Sequence, residues 1–448
     1  MTALYYTLGV VIFAVTIMAS IGLHEFGHLI PAKKFGGKVT QWFVGFGPTV
    51  WSRKVGETEY GVKAIPLGGY VKIVGMLPPG KGEQTGDPDA ELRVRQSNTG
   101  MFTQLISDAR AAEWEHIGPE DRDRLFYKRP WWQKVIVMAG GPMVNIAIAF
   151  LLFWGVFATV GQVVDAKAEP VVAEVVPCIV PADEDGRVCS AEELKDNPTP
   201  AAAAGLQPGD RFVSFNGAAV STWEQMQKAI RANAGGAATI VVERDGEQLT
   251  LETTTSVQPR PIDADSEELT PVGFLGVLPE LTPVYETGGP VYTAQQMGSM
   301  TVDVVSSLAQ LPVKVYGVGK AIVGLEERDP NGPVSVVGGG RLAGEVASHD
   351  EFPMKDKVIS LVMLIAGFNL FVGLFNFIPL LPLDGGHIAG ALYEGLRRAW
   401  ARLRGLPDPG YVDVAKLLPI AYVMGLAMLL MGVVLIVGDI VVPLHLTS

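Results

Sequence analysis

Charge is scarce in this chain. Of its 448 residues 18% are charged and 48% hydrophobic, and soluble domains average roughly 25% charged. The net charge of −12, with no basic cluster interleaved with aromatics, argues against a nucleic-acid partner. No Lys or Arg precedes the first apolar run and no small-residue cleavage site follows it, so it reads as a retained helix rather than a signal peptide. The chain has only six histidines, so two of them four residues apart carry weight. Cysteine is limited to Cys178 and Cys189.

What is abundant is apolar sequence in long blocks. Segments 3–23, 135–160, 358–383 and 417–438 are uncharged over about the 20 residues that a bilayer crossing needs. They predict a polytopic α-helical membrane protein with four transmembrane helices. Basic residues cluster after the first segment (Lys33, Lys34, Lys38, Arg53, Lys54, Lys63), before the second (Arg122, Arg124, Lys128, Arg129, Lys134) and between the third and fourth (Arg397, Arg398, Arg402, Arg404). Positive charge favours the cytoplasmic side. The N-terminus, the C-terminus and residues 164–357 are therefore expected outside a bacterial cell membrane. That compartment permits a disulfide between Cys178 and Cys189, the alternative being two free thiols.

Organisation follows from these blocks. Residues 1–34 form the first transmembrane helix and 35–134 a cytoplasmic-side region. Within the latter, 41–75 is rich in Gly, aromatic and β-branched residues and reads as two β-hairpins, either dipping into the cytoplasmic leaflet or forming an ordinary small sheet. Residues 77–123 read as a polar loop with short helices. The second helix occupies 135–163. Residues 164–260 begin with a strand pattern and an acidic, cysteine-bearing insert. They continue with "AGLQPGDRFVSFNG" (204–217), a helix and two strands joined by Asp245-Gly246. That order resembles a PDZ domain of the bacterial protease-associated type, in a single copy, since no second Gly-Leu-x-x-Gly-Asp run exists. Residues 261–357 are a linker whose stretch 297–324 reads as an amphipathic helix near the outer membrane surface and whose stretch 331–340 reads as a loop or short strand. The third helix spans 358–396, a cytoplasmic loop 397–416, and the fourth helix with its tail 417–448.

The chemistry sits in "HEFGH" (24–28). His24 and His28, four apart, share a helix face. In H-E-x-x-H the imidazoles bind a metal and the glutamate, Glu25 here, serves as general base. Ionisable groups in a membrane helix are costly and usually functional. Catalytic zinc takes three protein ligands, and Asp384 in "NFIPLLPLDGG" (376–386) is the third. Pro379 and Pro382 break the helix there, and Gly385-Gly386 let the backbone turn. Asp384 could alternatively cap a helix beginning at Gly385, and His387 is a competing ligand. A helix rise of 1.5 Å per residue sets His24 about 30 Å from the outer entry, and Asp384 at a similar depth.

Together, HEFGH, NFIPLLPLDGG, "GGPMVN" (140–145) and "NGPVSVVG" (331–338) resemble the site-2 protease family of intramembrane zinc metalloproteases, closest to its single-PDZ, actinobacterial-like bacterial branch. Residues 41–73 resemble that family's membrane-reentrant β-loop. The resemblance implies one Zn²⁺ per chain held by His24, His28 and Asp384, with Glu25 catalytic. It implies cleavage within transmembrane segments of single-pass membrane proteins, such as anti-sigma factors already trimmed by another protease. It also implies that Asn376, Asn369 and Asn145 bind substrate backbone; for each, a helix–helix hydrogen bond is the alternative. Two other classes compete. One is a metalloprotease with a glutamate third ligand, for which no suitable later helix exists. The other is a PDZ-bearing receptor with a closed structural zinc site, which His387 alone makes conceivable.

Overall fold

The computed structural model describes residues 2–79, 101–114, 117–179, 189–190, 193–261, 269–350 and 352–445. The chain forms two compact units: Met1–Thr159 with Gly288–Ser448, and Val160–Thr287 inserted between them. In chain order, the first unit opens with α1 (Thr2–Lys34), β1 (Val39–Val55), β2 (Thr58–Ile73), α2 (Met101–Trp114) and α3 (Trp131–Thr159). The inserted unit holds β3 (Gln162–Val175), α4 (Glu193–Asp196), α5 (Pro200–Ala204), β4 (Arg211–Phe215), β5 (Ala218–Ala219), α6 (Trp223–Ala232), β6 (Ala237–Arg244), β7 (Glu247–Thr254), β8 (Ser256–Pro261), β9 (Leu269–Phe274) and β10 (Val277–Glu286). The first unit resumes with α7 (Pro290–Ile322), α8 (Val336–Ser348), α9 (Met354–Asn376), α10 (Asp384–Leu403) and α11 (Leu418–Val441).

Among the described residues, α1, α3, α9 and α11 are long and apolar enough to cross a membrane. Their outward faces are greasy: Leu4, Leu8 and Val15 on α1, and Leu426, Leu429 and Val433 on α11, are exposed. Such a surface suits hydrocarbon as solvent, while polar groups must find partners inside. Small residues bring the backbones together. A Cβ at Gly27 would strike the Gly140 carbonyl oxygen, and a Cβ at Gly140 the Gly27 oxygen, so α1 and α3 cross in direct backbone contact.

Several boundaries differ from the sequence reading. The third apolar segment breaks at its prolines, as expected, but resumes as a second long helix. Pro379 and Pro382 cannot donate to an i−4 carbonyl, α9 ends at Asn376, and α10 starts afresh at Asp384 and runs to Leu403. Helix therefore continues into the expected 397–416 loop as far as Leu403. The expected pair of hairpins is one long antiparallel pair, β1 with β2. Its outer stretch pairs Thr49↔Lys63 to Val55↔Thr58, and the inner part of β1 is bonded on both sides, Gln41–Val44 pairing with Glu59–Val62 of β2 on one edge and with Gly69–Lys72 on the other. Gly45, Gly47 and Gly68 adopt positive φ between these stretches. The amphipathic helix expected at the outer surface is α7, which packs against α3, α9 and α11. Residues expected as loop or strand enter α8, whose N-cap Ser335 accepts from Val337 N and Gly338 N. The polar stretch 80–100 and residues 180–188 of the acidic insert lie outside the described residues.

The inserted unit extends beyond 164–260, because β10 returns to pair with β3. Its main sheet runs β10-β3-β4-β6-β7, with β5 beside β4, and β8-β9 form a separate ribbon. Phe212, Phe215, Met226, Ile230, Ile240 and Val242 fill its core. Asn216-Gly217 and Asp245-Gly246 both adopt positive φ, the conformation that tight hairpin turns require. Cys178 and Cys189 are joined by a disulfide.

One buried ion pair ties the first unit together. Arg328 meets Asp439 with side chains 5% and 2% exposed. Asp439 Oδ2 also accepts from Ser335 N at 2.7 Å and Gly338 N at 3.2 Å, at the start of α8. Asp439→Leu leaves a buried guanidinium unpaired and is expected to lower the unfolding free energy by about 3–5 kcal/mol. Arg328→Met in the same chain should restore most of it. Denaturation in detergent micelles measures both.

Candidate metal centre

α1 presents Ser20, His24 and His28 on one face. The His28 Nδ1 donates to the Val137 carbonyl at 2.8 Å. A carbonyl can only accept, so the proton sits on Nδ1 and the Nε2 lone pair is free. The His24 Nδ1 lies 2.8 Å from Asn145 Oδ1, which fixes the same tautomer. Asn145 Nδ2 donates to Asn369 Oδ1 at 3.3 Å, and Asn369 Nδ2 to Ile365 O at 2.9 Å. The Ser20 hydroxyl donates to Asn369 Oδ1. With Asn145 1% and Asn369 0% exposed, this chain of bonds is closed and consistent in every donor and acceptor.

Asp384 opens α10 without capping it: the N-cap is Leu383, and no side-chain cap bond forms. Its Oδ2 instead lies 3.3 Å from His24 Nε2 and 3.3 Å from His28 Nε2, and the two Nε2 atoms are 3.2 Å apart. Three lone-pair atoms thus face one another in a near-equilateral triangle, and among the described residues Asp384 Oδ2 has no hydrogen-bond donor. Such a triangle is repulsive unless a cation draws the three together. Tetrahedral zinc with bonds of about 2.0–2.1 Å needs ligand atoms about 3.3–3.4 Å apart, so the donor set fits a divalent metal. Space is reserved for it as well. A Cβ at Gly141 would collide with both Nε2 atoms.

Glu25 is buried and interacts electrostatically with His28, His24 and Asp384. Gly69 of β2 lies against its side chain: an added Cβ would come within 3.0 Å of Glu25 Cγ. The inner stretch of β2 therefore borders the centre.

Peptidase family M50 matches residues 12–406. The chain belongs to peptidase family M50, the site-2 proteases. It is a metalloprotease. The "Zinc metalloprotease Rip1" of Mycobacterium tuberculosis (strain ATCC 25618 / H37Rv) is 34% identical over 452 residues, covering 98% of this chain and 99% of the relative. That of Mycolicibacterium smegmatis is 32% identical over 454 residues, with the same coverage. A "Putative zinc metalloprotease mll0638" of Mesorhizobium japonicum is 29% identical over 381 residues, or 84% of this chain and 86% of the relative.

Within this M50 chain the residues expected from sequence divide. His24, His28 and Asp384 come together as the cluster among the described residues whose ligand atoms lie close enough to hold a metal ion. His387 stands outside that cluster, in the wall of a small cavity with Lys134 and Glu394. Asn145 and Asn369 are buried, and their amide groups bond to each other, to His24 and to the Ile365 carbonyl. Asn376 donates to Val372 O at 3.0 Å within its own helix and is partly exposed. Ser20 was missed, although a hydroxyl one turn before His24 in an apolar run was a usable signal. Val137 O and Gly141 carry no side-chain signal at all. Gly141→Ala is expected to abolish stoichiometric metal binding while the protein still inserts and folds. Plasma-emission metal analysis of the purified variant checks this; full occupancy would contradict the assigned space.

Proposed function

We propose that this chain is a zinc-dependent intramembrane endopeptidase that cuts the transmembrane segments of single-pass membrane proteins, in regulated intramembrane proteolysis. The observation that carries the reading is the lone-pair triangle of His24, His28 and Asp384, with Glu25 beside it, inside a unit of apolar helices. Two imidazoles and one carboxylate are a zinc donor set with room for a fourth ligand. Zinc held there supplies Lewis acidity, lowering the pKa of water and polarising a carbonyl.

The chain's own residues do the rest. A Glu25 carboxylate oxygen takes the proton from the attacking water and delivers it to the leaving amide nitrogen. Asn145 and Val137 hold the imidazoles in the tautomer that aims Nε2 at the centre. The scissile segment must be unwound, and its exposed amides need partners in a dry site. The β2 stretch from Gly69 to Ile73, bonded to β1 on one side, offers its other edge for strand addition. Asn376 offers its amide oxygen nearby in sequence to Asp384. Phe46, Val50, Trp51, Val55 and Ile65 are exposed toward the far part of this β-pair, which supports a β-loop that enters the membrane.

A cavity of about 1020 Å³ lies between α7, α11 and the end of α9, with almost wholly apolar walls reaching Leu383. It stands next to Asp384 in the chain and matches the upper range of ligand pockets. Its chemistry suits a stretch of apolar helix better than a soluble peptide. Cytoplasmic placement of the basic regions sets both termini and residues 160–287 outside, where a PDZ-like unit would screen substrates. The family resemblance supports anti-sigma factors, trimmed beforehand by another protease, as the substrate class.

Glu25→Gln should retain one zinc per chain and lose about 10²–10⁴-fold in cleavage rate. Asp384→Ala should lose zinc as well as activity, and full zinc occupancy in that variant would sink the three-ligand assignment. In wild-type digests, mass spectrometry of released fragments should find cuts in the cytoplasmic half of the substrate span.

A further inference from the structure

The metal triangle depends on three helices. α1 supplies the histidines, α3 orients them through Val137 O and Asn145, and α10 supplies Asp384. The connection to α9 holds α10 at one end only. Residues 377–383 carry two prolines and form no regular helix; their backbone packs closely on Gly385 and Gly386 in the first turn of α10, which leaves the rest of that helix to be set by its packing on α3. A shift of one residue along α10 is about 1.5 Å, and a functional constellation tolerates only about 0.5 Å.

A buried ion pair lies between the two orienting helices. Lys134 Nζ meets Glu394 Oε2 at 2.8 Å, with side chains 8% and 1% exposed. On α3, Lys134, Gly141 and Asn145 recur at spacings of seven and four, one face. On α10, Asp384, His387, Ala391 and Glu394 recur at three, four and three, again one face. The same two stripes therefore meet twice: at the metal triangle, and again about 15 Å farther along α10. Glu394 is held further by Arg398 Nη2, 3.1 Å from Oε1, and by Val412 N at 3.3 Å. Lys134 also stands 5.2 Å from the centre of the Tyr411 ring. A buried pair of this kind adds little net stability, because desolvation offsets its attraction, and its best-attested use is to fix register.

We propose that Lys134 and Glu394 are positioning residues that set α10 against α3 and so hold Asp384 at the distance from His24 and His28 that the metal requires. The inference rests on the zinc-site reading above. Its test uses the full-length protein in detergent micelles, loaded with Co²⁺, whose visible absorption reports coordination geometry. The variant K134M/E394L replaces the pair by apolar side chains of similar length. It should keep its unfolding temperature, bind Co²⁺ on the order of 10–100-fold more weakly in chelator competition, and lose the tetrahedral absorption of the wild type. The variant R328M/D439L removes a comparably buried pair that touches none of the three helices bearing or orienting ligands. It should keep the wild-type spectrum. If the double variant does not purify, Glu394→Gln, which keeps the shape, is read by the same criteria. Wild-type affinity and spectrum in the Lys134/Glu394 variants would overturn the proposal, as would an equal loss in R328M/D439L. A wild-type protein with no tetrahedral Co²⁺ signal would instead overturn the zinc-site reading itself.

Discussion

Three acceptor atoms held 3.2–3.3 Å apart in a unit of low dielectric are the constraint on which the rest of this structure depends. Among the described residues nothing donates to Asp384 Oδ2, and both imidazole protons are already committed elsewhere. In water such an arrangement would relax by rotation and hydration. Here it cannot, because Asn145 and Val137 fix the rings and Gly141 leaves no side chain to fill the gap. The fold therefore holds an unfavourable arrangement of lone pairs that a divalent cation would relieve, and this is the physical argument for reading the cluster as a metal site.

Holding that arrangement inside hydrocarbon imposes a second requirement: every other polar group nearby must be satisfied by protein. The run from Ser20 through Asn369 and Asn145 to His24 meets it with side chains from three helices. α1 and α3 must be close for these bonds to form, and Gly27 and Gly140 allow their backbones to touch. The polar network and the small-residue crossing are one solution, since neither works without the other.

The parts legible in the sequence were those where a costly residue stood in an apolar run. HEFGH and Asp384 announce themselves because charge there is expensive, and the four spans follow from length. What was not legible depends on partners far away in sequence. Asn145 and Asn369 look the same whether they bind substrate or each other, and their contact joins residues 224 positions apart. Lys134 reads as one more basic flank until Glu394, 260 positions on, is found beside it. The return of β10 to β3 is likewise non-local, so the inserted unit ended later than its motif implied. An amphipathic pattern does not say how its apolar residues divide: on α7, Met297, Val318 and Ala321 are buried while Val302, Val305 and Val313 remain exposed.

The break between α9 and α10 shows how these constraints combine. A continuous helix through residue 384 would have satisfied its backbone internally, but its ridge of side chains would have carried Asp384 on α9's own axis, tied to α9's packing. Two prolines end that helix and free Asp384 to begin another, one that answers to α3. The cost is irregular backbone at depth, tolerable only where protein or a cavity surrounds it. Both are present: α10 packs on α3, and the large apolar cavity opens beside Leu383. The element that brings Asp384 to the two histidines is thus also the element that borders the large apolar cavity.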